Sequence, residues 1–235
     1  VTAPTYQELA TLADFLRLGL PPDALRLART TQAPVSATGA GAGLVVPGGT
    51  LDVGALGVAT LDVLVDVVAG GALGSATWRW SHDGGTTWTT AVATPAAGVS
   101  AALTHPALGI PTGLTLRFVG PQTTGAHFEW TATSCVHDCG RAANDEAFRA
   151  YGARYGGALG TVPADIVRDV CSVWAADVAA MIGYRPGDGA DALLEQRAAG
   201  ARKRMKDVKT HDDTPRTDGP RTTRRPPLVS SRARR

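Results

Sequence analysis

The chain is short of the features that would take it out of the ordinary soluble class, and each shortage excludes something. No run of about 18 apolar residues occurs, so neither a membrane-spanning helix nor a membrane partner is expected. The N-terminus carries no basic segment and no signal-like apolar core, which predicts a protein made and kept in a cytoplasm until it joins an assembly. Cysteines number 3, an odd count that does not suit a disulfide framework. G-x-S-x-G, H-E-x-x-H and Walker glycine loops are all missing, and the 5 histidines are scattered, so neither catalysis nor a cofactor is expected. His105, before Pro106, and His211 read as solvated positions.

Cys171 falls on an apolar helical stripe and reads as a core residue. Cys135 and Cys139 flank Val-His-Asp, and a zinc site through His137 comes to mind. No second ligand pair stands at conventional spacing, so no metal is expected.

What is present is enough for ordinary cores: 235 residues with 44% hydrophobic content hold one large or two small domains. The net charge of +2 hides an asymmetry. From Lys203 onward there are 11 Lys and Arg against 4 Asp and Glu, an excess of +7; the remainder holds 12 against 17, or −5.

Thr5 and Glu8 fit a capping box, predicting a helix whose apolar face holds Leu9, Leu12, Ala13, Phe15 and Leu16 and which ends at Gly19. Pro21-Pro22-Asp23 then launches a shorter helix through Ala28. From Thr30 to about Ser134 the composition turns to Gly, Ala, Thr and Val in short alternating or wholly apolar segments. Strands are expected near residues 43–46, 59–68, 76–81, 88–93, 100–104, 114–119 and 128–132, which suits an antiparallel sandwich of Ig-like architecture without the Ig pattern of Cys and Trp. Within it Ser81, Asp83, Gly85, Thr87 and Trp88 match the Asp-box pattern S-x-D-x-G-x-T-W of sialidase-type propellers. One copy without blade repeats reads as a hairpin stabiliser, in which side chains bond the turn's own backbone above the packed tryptophan.

Helical spacing resumes at Asn144, read as an N-cap, with Phe148, Tyr151 and Tyr155 on one face. Pro163 then opens a helix striped by Ile166, Val167, Val170, Cys171, Trp174, Val178, Met181 and Ile182 and stopped by Gly183 and Pro186. Asp188 can cap a second helix striped by Leu193, Leu194, Ala198, Ala201, Met205 and Val208, so the pair forms an antiparallel hairpin. Beyond Thr210 prolines and charges leave too few apolar residues to fold alone, and Leu228 and Val229 are the exception. The expected organisation is α+β and multidomain: a discontinuous helical domain over 1–29 and 141–208, an inserted β-sandwich over 30–140, and an extended basic arm over 209–235.

The order "RYGGALGTVP", "VCSVWAADVAAMIGYRPGDGADA", "RAAGARKRMKDV" and a tail ending "PPLVSSRARR" resembles the small head-to-tail connector proteins of tailed bacteriophages, also called adaptor or head-completion proteins. The likeness covers Asp145 to Arg235 and, more loosely, "TYQELATLADFLRLGLPPDALRLA"; the β-insertion departs from the simpler connectors. It implies a structural virion protein at the head-tail junction, assembled in the host cytoplasm, with the portal protein, copies of itself in a dodecameric ring and a downstream neck or tail protein as partners. Transient contact with packaged DNA fits such a place. On this reading Pro226, Pro227, Leu228 and Val229 dock on the portal while Arg224, Arg225 and Arg232 pair with its acidic groups. Two other classes compete. Trp78, Trp80, Trp88 and Trp130 offer faces for a carbohydrate-binding module, although alternation puts Trp78 and Trp80 on one strand face, as core residues would be. Arg216, Arg221, Arg224, Arg225, Arg232, Arg234 and Arg235 offer phosphate contacts for nucleic acid, without aromatic interleaving.

Overall fold

The structure, a computed structural model, describes residues 8–41, 43–155, 161–185 and 190–212. The fold is α+β. Helices α1 (Leu12–Leu18) and α2 (Pro22–Leu25) come first, followed by strands β1 (Thr30–Gln32), β2 (Ser36–Thr38) and β3 (Leu44–Gly49). A short helix α3 (Val53–Leu56) precedes β4 (Thr60–Ala69), β5 (Thr77–Ser81), β6 (Val92–Ala93), β7 (Ala101–Thr104), β8 (Pro111–Val119) and β9 (His127–Ser134). Helices α4 (Cys135–Tyr155), α5 (Ala164–Ile182) and α6 (Ala190–Asp212) complete it. Among the described residues no helix is long and apolar enough to cross a membrane.

The strands form two antiparallel sheets, one ordered β1-β9-β4-β5-β6 with β2 also on β9, the other β3-β8-β7. Alternation decides which side chains meet, because successive residues of a strand point to opposite faces. Val63, Val65 and Val67 of β4, Trp78 and Trp80 of β5 and Phe128 and Trp130 of β9 share one core with Leu103, Leu114, Leu116 and Phe118 of the smaller sheet. Each such side chain contributes roughly 1.5–3 kcal/mol when buried. Gly113 is required where β8 crosses the turn before α3: its φ is +80°, and a Cβ there would lie 2.1 Å from the Thr50 carbonyl oxygen.

A second core joins the helices. Trp174 of α5 stacks on Phe15 of α1 at 4.4 Å between ring centroids, and its indole N–H donates to the Val136 carbonyl at 2.7 Å. Gly140 of α4 makes room for that ring, since a Cβ would fall 2.2 Å from it. Helix α5 stops at Gly183, which adopts the left-handed conformation at φ +65° while the Tyr184 amide returns to the Ala179 carbonyl. Ala198, Ala201 and Met205 of α6 are buried, with Leu194 and Val208 packed beside them. Val53 and Ala59, from the segment between the strands, also belong to this helical core.

Several expectations change. Residues 8–11 are not helical; α1 starts after Thr11, which forms a capping box with Asp14 in place of the one read at Thr5, a residue outside the described set. Asn144 does not begin a helix. β9 runs directly into α4 at Cys135, so the boundary read near residue 141 falls inside α4, and residues 135–140 already contribute to the helical core. Asn144 sits in mid-helix, 1% exposed, and caps another segment: its Oδ1 accepts the amides of Leu9 (2.8 Å) and Ala10 (2.9 Å) while its Nδ2 donates to the carbonyls of Ala10 and Gly140. The strand read over 88–93 shrinks to Val92–Ala93, because Trp88 belongs to the turn. Met181, read into the α5 stripe, is exposed, and His211 lies in α6 rather than in an arm. Strands β1 and β2, too short to show alternation, were not expected, nor was α3.

Asn144→Ala leaves two buried amides without acceptors and should lower the unfolding free energy by about 2–4 kcal/mol. Urea unfolding followed by circular dichroism checks this; a loss under about 0.5 kcal/mol, the range of surface substitutions, would show that the Leu9–Ala10 bend is not held this way.

Candidate functional site

The Asp-box residues fold as a side-chain-bonded turn. Ser81, last in β5, donates from Oγ to Asp83 Oδ1 at 2.7 Å and accepts the Gly85 amide at 2.9 Å. Asp83 Oδ1 also accepts the Thr87 amide at 2.7 Å. The Thr87 amide and then the Ser81 hydroxyl hold the Asp83 carboxyl well below the usual carboxylate range. Gly85 has φ +92°, and the Trp88 ring lies just beneath it.

Beside this turn a polar row crosses the outer face of the large sheet. Asp66 of β4 stands opposite both Arg79 of β5 and His127 of β9. Asp66 Oδ2 accepts two guanidinium bonds from Arg79, each 2.9 Å, and the same guanidinium lies 4.4 Å from the centre of the Trp88 ring. This limits what Trp88 can offer a sugar. Trp78, Trp80 and Trp130 are buried, and the Trp130 indole donates to Gln32 at 3.0 Å, so three of the four tryptophans considered for stacking face the core.

His105, read as solvated, is buried. Its ring packs 4.0 Å from that of His82, which joins the β7–β8 turn to the turn after β5. His105 Nδ1 accepts the amides of Ala107 (3.3 Å) and Leu108 (3.2 Å), a role that requires an unprotonated nitrogen. Desolvation, followed by the neighbouring His82, lowers its pKa.

The three thiols are free and buried. Burial raises all of them, Cys139 to about 11 and Cys171 to about 12, so none is poised as a nucleophile. Cys135 and Cys139 lie one turn apart on the buried face of α4, whereas the half-exposed His137 between them points well around the helix. The zinc reading required all three on one side.

The helical hairpin carries its polar groups on its flanks. Asp169 of α5, 5% exposed, accepts the Tyr151 hydroxyl at 3.1 Å and a two-pronged bond from Arg204 of α6 that includes Nε to Oδ2 at 2.9 Å. Arg202 bridges Asp177 at 2.7 Å and Glu146 at 3.5 Å. Asp169 reads as one more polar gap in a helical stripe, so periodicity alone did not reveal it. A partner for it was hinted only by the arginines of α6. Where helices and sheets meet, a cleft of about 650 Å³ is floored by Leu12, Val58, Ala59 and Trp174 and edged by Glu8 and Asp145. Arg224, Arg225, Pro226, Pro227, Leu228, Val229 and Arg232 lie outside the described residues, as do Pro186 and Asp188.

No protein-family model matches the chain, and no curated protein does. Among solved structures, FlgL of Xanthomonas campestris is similar over 80% of this chain at 13% identity with a TM-score of 0.25, too low to establish a shared fold. The chain spans about half of that structure, 53%.

The His105 geometry has a definite pH consequence. With its folded pKa below the ordinary 6.5, the unfolded chain takes up the proton first, so this contribution is fully present above about 6.5 and is lost as pH falls towards the lowered value. His105→Asn keeps an acceptor for the two amides and removes the titration. Urea midpoints measured between neutral and mildly acidic pH should fall less steeply for this variant than for the parent; equal slopes would contradict a buried neutral His105.

Proposed function

We propose that the protein is a structural virion component, a head-to-tail adaptor that adds as a ring beneath the portal of a DNA-filled phage head and presents a surface to the next neck or tail protein. The observation that carries this reading is the hairpin of α5 and α6, closed at a left-handed Gly183, packed through small residues and continued by a strongly basic segment. That is the order in which the connector-like stretch of the sequence runs. The three thiols are buried in the helical core and His105 holds the β7–β8 turn. We read the two-sheet unit as an Ig-like sandwich inserted into the helical connector domain.

In this reading each copy contacts its neighbours through two different surfaces, so a template must enforce closure into a dodecameric ring if open polymers are to be avoided. Residues 213–235 act as the anchor. Extended, they span up to on the order of 75 Å. Pro226 and Pro227 restrict the chain before it binds, which lowers the entropy cost of docking Leu228 and Val229. Arg224, Arg225 and Arg232 pair with portal carboxylates. Once one copy is seated, its neighbours bind at high effective concentration, so weak single contacts suffice.

Truncation after Asp212 leaves α6 whole. The truncated protein should melt as the parent does, while portal-bearing heads lose it during sedimentation. Unchanged portal occupancy together with infectious particles would rule out the anchoring role.

A further inference from the structure

A groove of about 600 Å³ lies between α5 and α6 at the end of α1, and three observations bear on what it takes. The first is charge. Arg168, Arg197 and Arg204 line the groove, but only Arg204 is committed, to Asp169; no carboxylate among the described residues is paired with Arg168 or Arg197. The second is apolar exposure. Leu18 and Leu193, 44% and 46% exposed, stand in the same groove, two large aliphatic side chains that the fold leaves half in water.

The third is Gly200. It lies in the middle of α6, where alanine would favour the helix by about fivefold. Nothing in the fold demands glycine there: its φ is not left-handed, and an added Cβ would meet only the Arg204 guanidinium at 3.4 Å, an ordinary contact. Its effect is to leave helix backbone bare on the groove floor, where another chain can approach closely.

We propose that this groove is a docking site for an acidic amphipathic helix of a partner protein, whose carboxylates pair with Arg168 and Arg197 and whose apolar side chains lie over Gly200 between Leu18 and Leu193. Nucleic acid would use the two guanidiniums but leave both leucines uncovered and would have no use for the bare floor. No residue of the arm is among those that line the groove, and the proposal does not depend on the adaptor reading.

The probe is a fluorescein-labelled synthetic peptide of about four helical turns, with leucine at every third or fourth position and glutamate on the flanks. Two controls accompany it, a lysine-for-glutamate counterpart and a short DNA duplex. Anisotropy titrations use the full chain, Arg168→Glu/Arg197→Glu, and Gly200→Leu, each checked by circular dichroism; Arg204 is spared because it holds Asp169. The glutamate peptide should bind saturably, about tenfold more weakly to the charge-reversed protein and likewise to Gly200→Leu. The lysine peptide should prefer the charge-reversed protein. If Gly200→Leu fails to fold, Gly200→Ala, which fits, replaces it, with a weakening of about threefold expected. Absence of peptide binding to the parent, or binding unaffected by the Gly200 substitution that folds, overturns the proposal. So does duplex binding that needs the two arginines and ignores Gly200, which would mark a phosphate site.

Discussion

The seat of Trp174 is the contact on which the helical half depends. One indole ties three helices together: it projects from α5, stacks on Phe15 of α1 and lies close against the bare backbone of Gly140 in α4. Its N–H ends on the carbonyl of Val136, in the first turn of α4, where strand has just become helix. A close approach of this kind tolerates no side chain at residue 140. It therefore fixes the position of α4 against α5 and, through β9, the place where the sheets begin.

Much of this was legible in the sequence, because period is what burial writes into a strand or helix. The inward residues of β4, β8 and β9 and the stripe of α5 follow from spacing alone, as does the glycine stop at Gly183. The Asp-box residues announced their own turn, since the Ser81 and Asp83 side chains each accept a backbone amide four residues on. Local patterns can be read locally.

Several misreadings have the opposite cause. Asn144 is a cap, but its clients are amides 134 and 135 positions away, and no local pattern can show that. His105 follows the same logic, because its burial comes from a ring on another hairpin. Met181 fits a helical stripe by spacing yet lies on the open side, since a stripe says which residues align and not how far the covering element extends. Asp169 is placed by Tyr151 and Arg204, which come from two other helices. Asn144, His105 and Asp169 were missed because their partners are distant in sequence, and they define polar seams of the fold.

The way the sheets join the helices has a mechanical meaning. β1 and β9 leave the helical part side by side, paired Thr30 with Ser134, Thr31 with Thr133 and Gln32 with Ala132, and the Cys135 amide closes on the Arg29 carbonyl at their root. A pull that draws the sheets straight away from the helices is shared by the two antiparallel strands, loaded side by side, and the hydrogen bonds between them carry almost no shear. A pull that separates α2 from α4 instead meets the ladder end-on and opens it one rung at a time, beginning at the root. The joint is stiff in tension and weak in splaying, so the direction of an applied load, more than its size, decides whether the two halves stay together.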